Sequence, residues 1–201
     1  MTKNLVDVVA ADLAEAADAL ARLRADRAML EAIARAGEVI ASALRAGGKV
    51  MSCGNGGSLC DAMHFAEEMT GRFRDDRKPY AAVALADASH MSCVGNDYGY
   101  EQGFARFVEG IGRAGDVLLA ISTSGTSKNV LLAAEAAKSK GVRVIGLTGR
   151  AGSPLASLSD VAIVTPAGRY ADRVQELHIK VIHILIELTE RQLDPANYGG
   201  A

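Results

Sequence analysis

Five short apolar segments alternate with helical segments along most of this sequence, and this alternation constrains the fold more than any other feature. The apolar segments lie at residues 50–53, 81–85, 117–121, 142–147 and 161–164. Each is a continuous stretch rich in Val, Ile, Leu or Ala, which is typical of a parallel strand buried on both faces. Helical patterns lie near residues 58–71, 88–111, 127–140 and 171–193. The sequence therefore predicts an α/β fold, a three-layer αβα sandwich around a five-stranded parallel sheet.

Residues 1–46 have a helical pattern of their own. Apolar residues recur at helical spacing on both sides of Asp26, and two glycines at 47–48 end the second helix. We expect a helical hairpin that packs against another subunit, because its apolar residues lie on more than one face. With the sandwich at residues 47–195, the whole chain of 1–201 is then a single domain.

The composition argues against several kinds of protein. The chain has 201 residues, a net charge of −2, 4% aromatic residues and no segment rich in Lys or Arg. This balance does not suit binding to nucleic acid by phosphate neutralisation and base stacking. No apolar stretch approaches the roughly 20 residues that span a bilayer, and the first residues resemble neither a secretion signal nor a transit peptide. We expect a cytoplasmic protein that binds neither nucleic acid nor membrane.

The three cysteines, Cys53, Cys60 and Cys93, include no Cys-x-x-Cys pair. Such an odd and sparse set predicts neither a disulfide framework nor a thiolate zinc site. We expect all three to be small buried residues in a reducing compartment.

Two segments that follow predicted strands have the composition of ligand-binding loops. Segment 54–58 reads Gly-Asn-Gly-Gly-Ser, and segment 122–127 reads Ser-Thr-Ser-Gly-Thr-Ser. In an open parallel sheet, ligands bind beyond the carboxyl ends of the strands, and each segment leads into a helix whose first N–H groups are free. The second segment adds hydroxyl groups without a Lys, which favours a phosphate monoester held by neutral donors.

Other interpretations of these two segments are less favoured. Neither has the Lys of a Walker A loop, and Leu59 stands where a dinucleotide fingerprint needs its third glycine. The glycines can also be simple turn formers and Ser127 a simple helix cap. Two such segments in one sheet favour a small phosphorylated ligand.

His64 and Glu68 lie four residues apart on the helix predicted after segment 54–58, so they share one face of it. An imidazole and a carboxylate so placed can share a metal ion or transfer protons. Such pairs also arise by chance on helix surfaces, but the position of this one next to a phosphate-type segment favours a functional role.

The last predicted helix carries Asp172, Gln175, His178 and His183. At about 100° per residue, the two histidines point about 140° apart, so they do not both serve one site from this helix. Gln175 is near enough to either, and the spacing does not say which histidine belongs to a site. The rest of the helix is apolar nearly all round, which predicts burial at a subunit contact. Beyond Asp194 we expect a frayed terminus.

Five motifs follow one another along the chain in a characteristic order. They are the segment 54–58, Asp61 with His64 and Glu68, the Gly-Asn-Asp of residues 95–97, the segment 122–127, and Gln175 with His178 and His183. Together they resemble the phosphoheptose isomerases, a family of sugar isomerase (SIS) domain proteins, over essentially the whole chain. The resemblance implies conversion of sedoheptulose 7-phosphate to D-glycero-D-manno-heptose 7-phosphate, the first step towards the ADP-heptose of the lipopolysaccharide inner core. It also implies a homotetramer with active sites at subunit interfaces.

The resemblance further implies the residues of an active site. Matched by position, Glu68 and His183 are the acid/base pair, so that His178 is the structural histidine. The implied ligands of one Zn²⁺ per subunit are His64, Glu68, Gln175 and His183. The phosphate is expected on Ser122, Thr123, Ser124 and Ser127. Further contacts to the sugar phosphate are expected from Asn55, Gly56, Gly57, Ser58, Arg72, Asn96, Asp97, Asp172 and Gln175.

These residue types suit a ketose-to-aldose shift through a cis-enediol. We expect Glu68 to move the proton between the two carbons, and His183 to move protons between the two oxygens near neutral pH. A zinc ion polarises a carbonyl, but a zinc-bound carboxylate is a weaker base and Gln is an unusual zinc ligand. At this point it stays open whether the metal is essential and whether it or Glu68 activates the carbon-bound proton.

Two alternatives come from the same fold. Some SIS proteins are non-catalytic tetramers that bind the bacterial replication initiator, but those lack the pair that corresponds to Glu68 and His183. Others are isomerases or sensors of hexose or arabinose phosphates. The helices that carry the candidate ligands favour heptose, although the shape of the pocket decides the length of the sugar.

Overall fold

The computed structural model describes residues 4–166, 168 and 170–199, and its centre is a five-stranded parallel sheet. The strands are β1 (Val50–Cys53), β2 (Ala82–Ala84), β3 (Val117–Ser122), β4 (Arg143–Thr148) and β5 (Val161–Val164). The five predicted strands are confirmed, with limits that agree within one residue.

Eight α-helices lie within the described residues. They are α1 (Leu5–Ala25), α2 (Arg27–Arg45), α3 (Gly57–Thr70), α4 (Ala88–Asp97), α5 (Gly103–Ile111), α6 (Lys128–Ser139), α7 (Pro154–Leu158) and α8 (Ala171–Leu193). None of these helices combines the length and the apolar character that crossing a bilayer requires.

The prediction of one helix over residues 88–111 is wrong. Gly99 has a φ of +91°, a value that favours glycine and ends the helical path. A 3₁₀ turn at Tyr100–Gln102 then connects α4 to α5. The helical periodicity on both sides of Gly99 hides this break in the sequence.

The order of the strands is β2-β1-β3-β4-β5, so the chain adds strands first on one side of β1 and then on the other. β1 pairs in parallel with β3, and Cys53 lies opposite Ala120 near their carboxyl ends. This reversal creates a crevice between the loops that follow β1 and β3. The two segments singled out in the sequence are these two loops.

Alternating residues of the sheet enter two separate apolar clusters. In β3, Val117, Leu119 and Ile121 belong to the cluster that contains residues of α2, α3 and α8. Leu118 and Ala120 belong to the cluster on the opposite face, formed with residues of α5 and α6. Burial on both faces explains why the strands read as continuous apolar segments.

The two N-terminal helices are confirmed, and they meet at Asp26. The Asp26 carboxylate accepts a hydrogen bond from the Met29 backbone N–H (3.1 Å), which caps the start of α2. α2 packs into the core, whereas α1 leaves a row of apolar side chains exposed. These are Leu5, Val6, Val8, Val9 and Leu13.

The expectation that all three cysteines are buried is wrong for two of them. Cys53 lies inside the sheet, but Cys60 and Cys93 are exposed on α3 and α4. The helical period turns both outward, and the Cys93 thiol faces the Asp97 carboxylate (3.6 Å). All three are free thiols.

The expectation of a frayed terminus beyond Asp194 is wrong for residues 195–199, and residues 200–201 lie outside the described part of the chain. It forms a 3₁₀ turn at Pro195–Tyr198, and the Tyr198 hydroxyl donates to Glu190 Oε2 (2.5 Å). Tyr80 donates from its hydroxyl to the Asp194 carboxylate. Asn197 Nδ2 also donates to the Asp76 carbonyl oxygen (3.0 Å), so side-chain hydrogen bonds hold this segment against the body of the protein.

Arg77 connects the ends of α3 and α8 from a buried position. Its side chain is 1% exposed, and its guanidinium donates to Glu190 Oε1 of α8 (2.8 Å). The same guanidinium donates to the carbonyl oxygens of Glu68 (2.6 Å) and Met69 (3.0 Å), which belong to the last turn of α3. It thereby satisfies free carbonyl groups at the end of α3 and fixes that end relative to α8.

Replacing Arg77 by Met is expected to lower the free energy of unfolding by about 3–5 kcal/mol, because the Glu190 carboxylate remains buried without its partner. Arg27→Met provides a matched control. Its ion pair with Glu31 has the same length, 2.8 Å, but the two side chains are 84% and 59% exposed. Its loss should cost less than about 1 kcal/mol. Urea denaturation measures both values, and equal small losses would contradict the structural role of Arg77.

His178 is fully buried on α8, and burial lowers the pKa of its imidazole from 6.5 to about 4. The folded protein therefore holds a neutral ring, whereas the unfolded chain binds a proton below pH 6.5. Protonation favours the unfolded state, so this contribution to stability is complete above pH 6.5 and is lost as the pH falls towards 4.

We expect the free energy of unfolding of the wild type to fall by ~2 kcal/mol between pH 6.5 and pH 5 because of His178, in addition to the effects of other groups. In His178→Leu the same interval should show a loss smaller by this amount. Urea denaturation of both proteins at the two pH values gives the difference. Parallel losses in the two proteins would show that His178 is not the group that titrates.

Candidate active site

The loop after β1 turns sharply into α3 at the crevice. Gly56 has a φ of +54° and precedes the first residue of the helix. The Ser58 backbone N–H donates to the Asn55 carbonyl oxygen (3.0 Å), and the Ser58 side chain is buried. The loop thus places Asn55 and the first turn of α3 at the carboxyl end of the sheet.

The loop after β3 forms a compact cluster of hydroxyl groups. The Ser122 hydroxyl lies 3.0 Å from that of Ser127, and it accepts a hydrogen bond from the Gly125 backbone N–H (3.1 Å). The Thr126 hydroxyl donates to Ser124 Oγ (2.9 Å). α6 begins directly after this loop, so its free N–H groups and positive end lie beside the hydroxyl groups. This arrangement suits a phosphate group.

A groove of about 370 Å³ opens beside the hydroxyl groups. Thr123 and Ser124 line it on one side, and Arg150 and Val174 are among the residues on the other. Its volume lies within the range of pockets that hold small molecules. Arg150 was not predicted, because nothing in its sequence surroundings marks it.

His64, Glu67 and Glu68 of α3 bring their side chains together with His183 of α8. The Nε2 atoms of the two histidines are 3.0 Å apart. His64 Nε2 also lies 3.6 Å from Glu68 Oε1, and His64 Nδ1 lies 3.5 Å from Glu67 Oε1. Three of the predicted residues therefore meet, and Glu67 joins them as a residue that the sequence analysis missed.

The surroundings of His183 favour its neutral form. Burial lowers the pKa of its imidazole, and His64 lowers it further by charge repulsion when both rings are protonated, while Glu68 opposes this change. The Phe73 ring packs near that of His183, with centroids 5.8 Å apart. A neutral imidazole can bind a metal or accept a proton. Nearby, one turn before His64, burial raises the pKa of the Asp61 carboxyl to about 6, although His64 opposes the rise.

The cluster has donor atoms of the types and separations that a zinc ion requires. Neighbouring ligand atoms around tetrahedral zinc lie roughly 3.3 Å apart, because each is 2.0–2.2 Å from the metal. The observed separations of 3.0 and 3.6 Å lie on either side of this value. His64, Glu67 and Glu68 also form a group whose ligand atoms lie within 4.8 Å of one another. The residues present therefore fit a metal ion.

Gln175 lies against the start of α3. A Cβ atom added at Gly57 would lie 2.6 Å from Gln175 Nε2 and 2.8 Å from its Oε1. The carboxamide therefore needs the space that a missing side chain at residue 57 leaves open. This contact places Gln175 beside the loop after β1.

Asn55 is bonded to two residues that the sequence analysis missed, Asn129 and Tyr100. Its Nδ2 donates to Asn129 Oδ1 and its Oδ1 accepts from Asn129 Nδ2, both at 2.8 Å. The Tyr100 hydroxyl also donates to Asn55 Oδ1 (2.9 Å). Asn129 directly follows the first residue of α6, so its position next to segment 122–127 was the available signal.

The remaining predicted residues lie on the surface of the structure. Asn96 donates to Asp97 Oδ1 (2.7 Å) at the end of α4. Asp172 accepts from the Arg173 backbone N–H (2.7 Å) at the start of α8. Arg72 is exposed on the loop after α3. In the part of the chain that the structure describes, none of these four side chains bonds to the histidine cluster.

A parallel sheet of this order, with a hydroxyl-rich loop at its strand reversal, defines a SIS domain. The family model described as "SIS domain" matches residues 13–149.

Comparison with known proteins narrows this class. The phosphoheptose isomerase of Tolumonas auensis is 57% identical over 187 residues, which cover 93% of this chain and 97% of that protein. The phosphoheptose isomerase GmhA from Neisseria gonorrhoeae has a solved structure with 42% identity and a TM-score of 0.85, covering 93% of this chain and 99% of that one. The corresponding structure from Francisella tularensis has 34% identity and a TM-score of 0.88, covering 94% and 99%. The chain belongs to the phosphoheptose isomerase family.

Gly57→Ala tests the contact between Gly57 and Gln175. The added methyl group displaces the end of a flexible side chain, so the fold should remain stable while kcat/KM for the sugar phosphate falls between about 10- and 100-fold. Steady-state kinetics and a thermal melt measure the two effects. Gly110→Ala, in α5 with open space around its Cβ position, is the matched control and should leave kcat/KM unchanged. An unchanged kcat/KM in Gly57→Ala would contradict a role for Gln175 in the site.

Proposed function

We propose that this chain isomerises sedoheptulose 7-phosphate to D-glycero-D-manno-heptose 7-phosphate, the step that begins the synthesis of ADP-heptose for lipopolysaccharide. One observation carries the proposal: His64 and Glu68 of α3 meet His183 of α8 in a fold whose loop after β3 clusters hydroxyl groups suited to a phosphate. Relatives at 55–57% identity bear the name of this activity.

The proton transfers follow from the two residue types. The Glu68 carboxylate takes a proton from C1 of the ketose, which leaves a cis-enediol, and returns it to C2. His183 gives a proton to the C2 oxygen and takes one from the C1 oxygen. In sum, one hydrogen moves from C1 to C2 and one moves from the C1 oxygen to the C2 oxygen, so no proton is gained or lost. A neutral His183 gives the proton of its own ring N–H to the C2 oxygen and recovers a proton from the C1 oxygen, so the ring ends as it began. The adjacent His64 ring, 3.0 Å away, can stabilise the deprotonated ring by a hydrogen bond.

The two loops at the crevice hold the substrate in this proposal. Ser122, Thr123, Ser124 and Ser127 bind the phosphate through hydroxyl and backbone N–H groups, with the positive end of α6 behind them. Further polar contacts come from a second group of residues. These are Asn55, Gly56, Gly57, Ser58, Arg72, Asn96, Asp97, Asp172 and Gln175. Because Arg72, Asp97 and Asp172 are exposed, they are available to a substrate or to a neighbouring subunit.

We further propose that His64, Glu68, Gln175 and His183 hold a zinc ion. When bound, the metal polarises the substrate carbonyl and stabilises negative charge on the enediolate. Glu67 faces the other nitrogen of His64, so it can orient that ring towards the metal position.

A tetramer is the proposed assembly. α1 exposes its apolar row, and an apolar groove of about 370 Å³ lies between α1, α2 and α8. Leu20, Leu30, Ile33 and Ile184 line this groove. Other copies of the chain are the proposed partners that cover both surfaces.

The alternative functions meet specific obstacles. A non-catalytic SIS protein does not need the pair Glu68 and His183. Here both side chains lie next to the same atom, His64 Nε2, with Glu68 Oε1 at 3.6 Å and His183 Nε2 at 3.0 Å. An isomerase of shorter sugars uses the same chemistry, so substrate length must be measured. Turnover of sedoheptulose 7-phosphate should exceed that of five- and six-carbon ketose phosphates.

The test is isomerase activity of the purified protein, sized by light scattering beforehand. Glu68→Gln keeps the shape of the side chain but removes the base, so kcat should fall between about 100- and 10,000-fold. Glu135→Gln, at an exposed carboxylate on α6, is the control and should behave as the wild type.

Removal of metal by a chelator should lower activity, and added Zn²⁺ should restore it. An inactive, metal-replete tetramer would contradict the proposed function and would turn the search to protein partners.

A further inference from the structure

Asn129 is a buried polar residue that lies between the two ligand loops. The residue is 3% exposed, although a carboxamide is costly to bury without partners. It lies at the start of α6, directly after the hydroxyl groups, and bonds across the crevice to Asn55 on the loop after β1. The pair therefore connects the two sides of the strand reversal through side chains.

The direction of every hydrogen bond in this group follows from one backbone contact. Asn129 Oδ1 accepts from the Val130 backbone N–H (3.0 Å), so this atom is the oxygen and its neighbour is the nitrogen. Asn55 must then turn its Nδ2 towards Asn129 Oδ1 and its Oδ1 towards Asn129 Nδ2. The Tyr100 hydroxyl fills the second lone pair of Asn55 Oδ1.

The remaining capacity of Asn55 can be counted. A carboxamide oxygen accepts two hydrogen bonds, and both are taken, by Asn129 and by Tyr100. The nitrogen has two N–H groups, and one of them is used on Asn129. One N–H group is left for a ligand, so Asn55 can donate to it but cannot accept from it.

We propose that Asn129, with Tyr100, is a positioning residue that turns Asn55 into a fixed single donor, which selects an oxygen acceptor of the sugar phosphate at this point. The inference rests on the proposed function, because it assigns a role to the proposed contact between Asn55 and the substrate. Asn129 itself contacts the loop and not the ligand. Its effect on the reaction must therefore pass through Asn55.

A double-mutant cycle tests this dependence. Asn55→Ala is expected to lower kcat/KM about 10- to 100-fold, since a placed donor is lost. Asn129→Ala should lower it nearly as much. The double variant should be no more than about twofold worse than Asn55→Ala alone, because Asn129 then has nothing left to position.

Tyr100→Phe gives the same test at an exposed residue, where folding is not at risk. It should lower kcat/KM about threefold in the wild type and have no effect in Asn55→Ala. Tyr98→Phe is the matched control. Tyr98 is similarly exposed, with its ring against the Arg106 guanidinium at 3.9 Å. Loss of its hydroxyl in Tyr98→Phe should leave kcat/KM unchanged.

The outcomes separate this inference from the proposed function. Independent losses that multiply in the double variant would show that Asn129 acts through the fold and would overturn the inference, with the isomerase function intact. An Asn55→Ala enzyme with unchanged kcat/KM would overturn both the inference and the Asn55 contact. If Asn129→Ala does not fold, equal behaviour of Tyr100→Phe and Tyr98→Phe decides against the inference. A wild type without isomerase activity contradicts the proposed function itself.

Discussion

The parallel pairing of β1 with β3 is the contact on which the rest of the structure depends. These strands are neighbours in the sheet although β2 and the three helices α3, α4 and α5 lie between them along the chain. Because they run in the same direction, the loops that leave their carboxyl ends start side by side. The glycine-rich loop and the hydroxyl-rich loop are thereby brought to one crevice, and the carboxamides of Asn55 and Asn129 meet there.

The second half of the candidate site depends on packing between α3 and α8. Both helices insert apolar side chains into the same cluster, for example Phe65 of α3 and Leu185 of α8. This packing sets the separation at which His64 and His183 face each other. Arg77 fixes the far end of the same helix pair through Glu190 and the α3 carbonyl groups. The candidate ligands are thus carried by rigid elements, and the two loops carry the proposed substrate contacts.

Sequence reasoning predicted the strands well because burial on both faces leaves a continuous apolar pattern. It placed the glycine-rich loop and the hydroxyl-rich loop correctly in the fold for a related reason, since each directly follows a strand. It missed the end of α4, because a single Gly99 with positive φ changes the chain direction without disturbing the helical spacing. It also missed the five-residue helix α7, which is too short to show a period.

The candidate site was predicted less completely, because several of its contacts join distant parts of the chain. Spacing on α8 left open which histidine belongs to a site. In the structure, His178 turns into the core and His183 turns towards α3. Asn129 bonds to a residue 74 positions away. Such partners are set by the strand order, and no local pattern announces them.

The location of the histidine and carboxylate groups on two packed helices also affects how the protein loses activity on heating. A site on mobile loops can come apart while the core stays folded. Here α3 and α8 share an apolar cluster with the sheet, so separating His64 from His183 requires that cluster to open. Inactivation by heat and loss of helical structure should therefore follow one another closely, and the chain has little room for a folded but inactive intermediate.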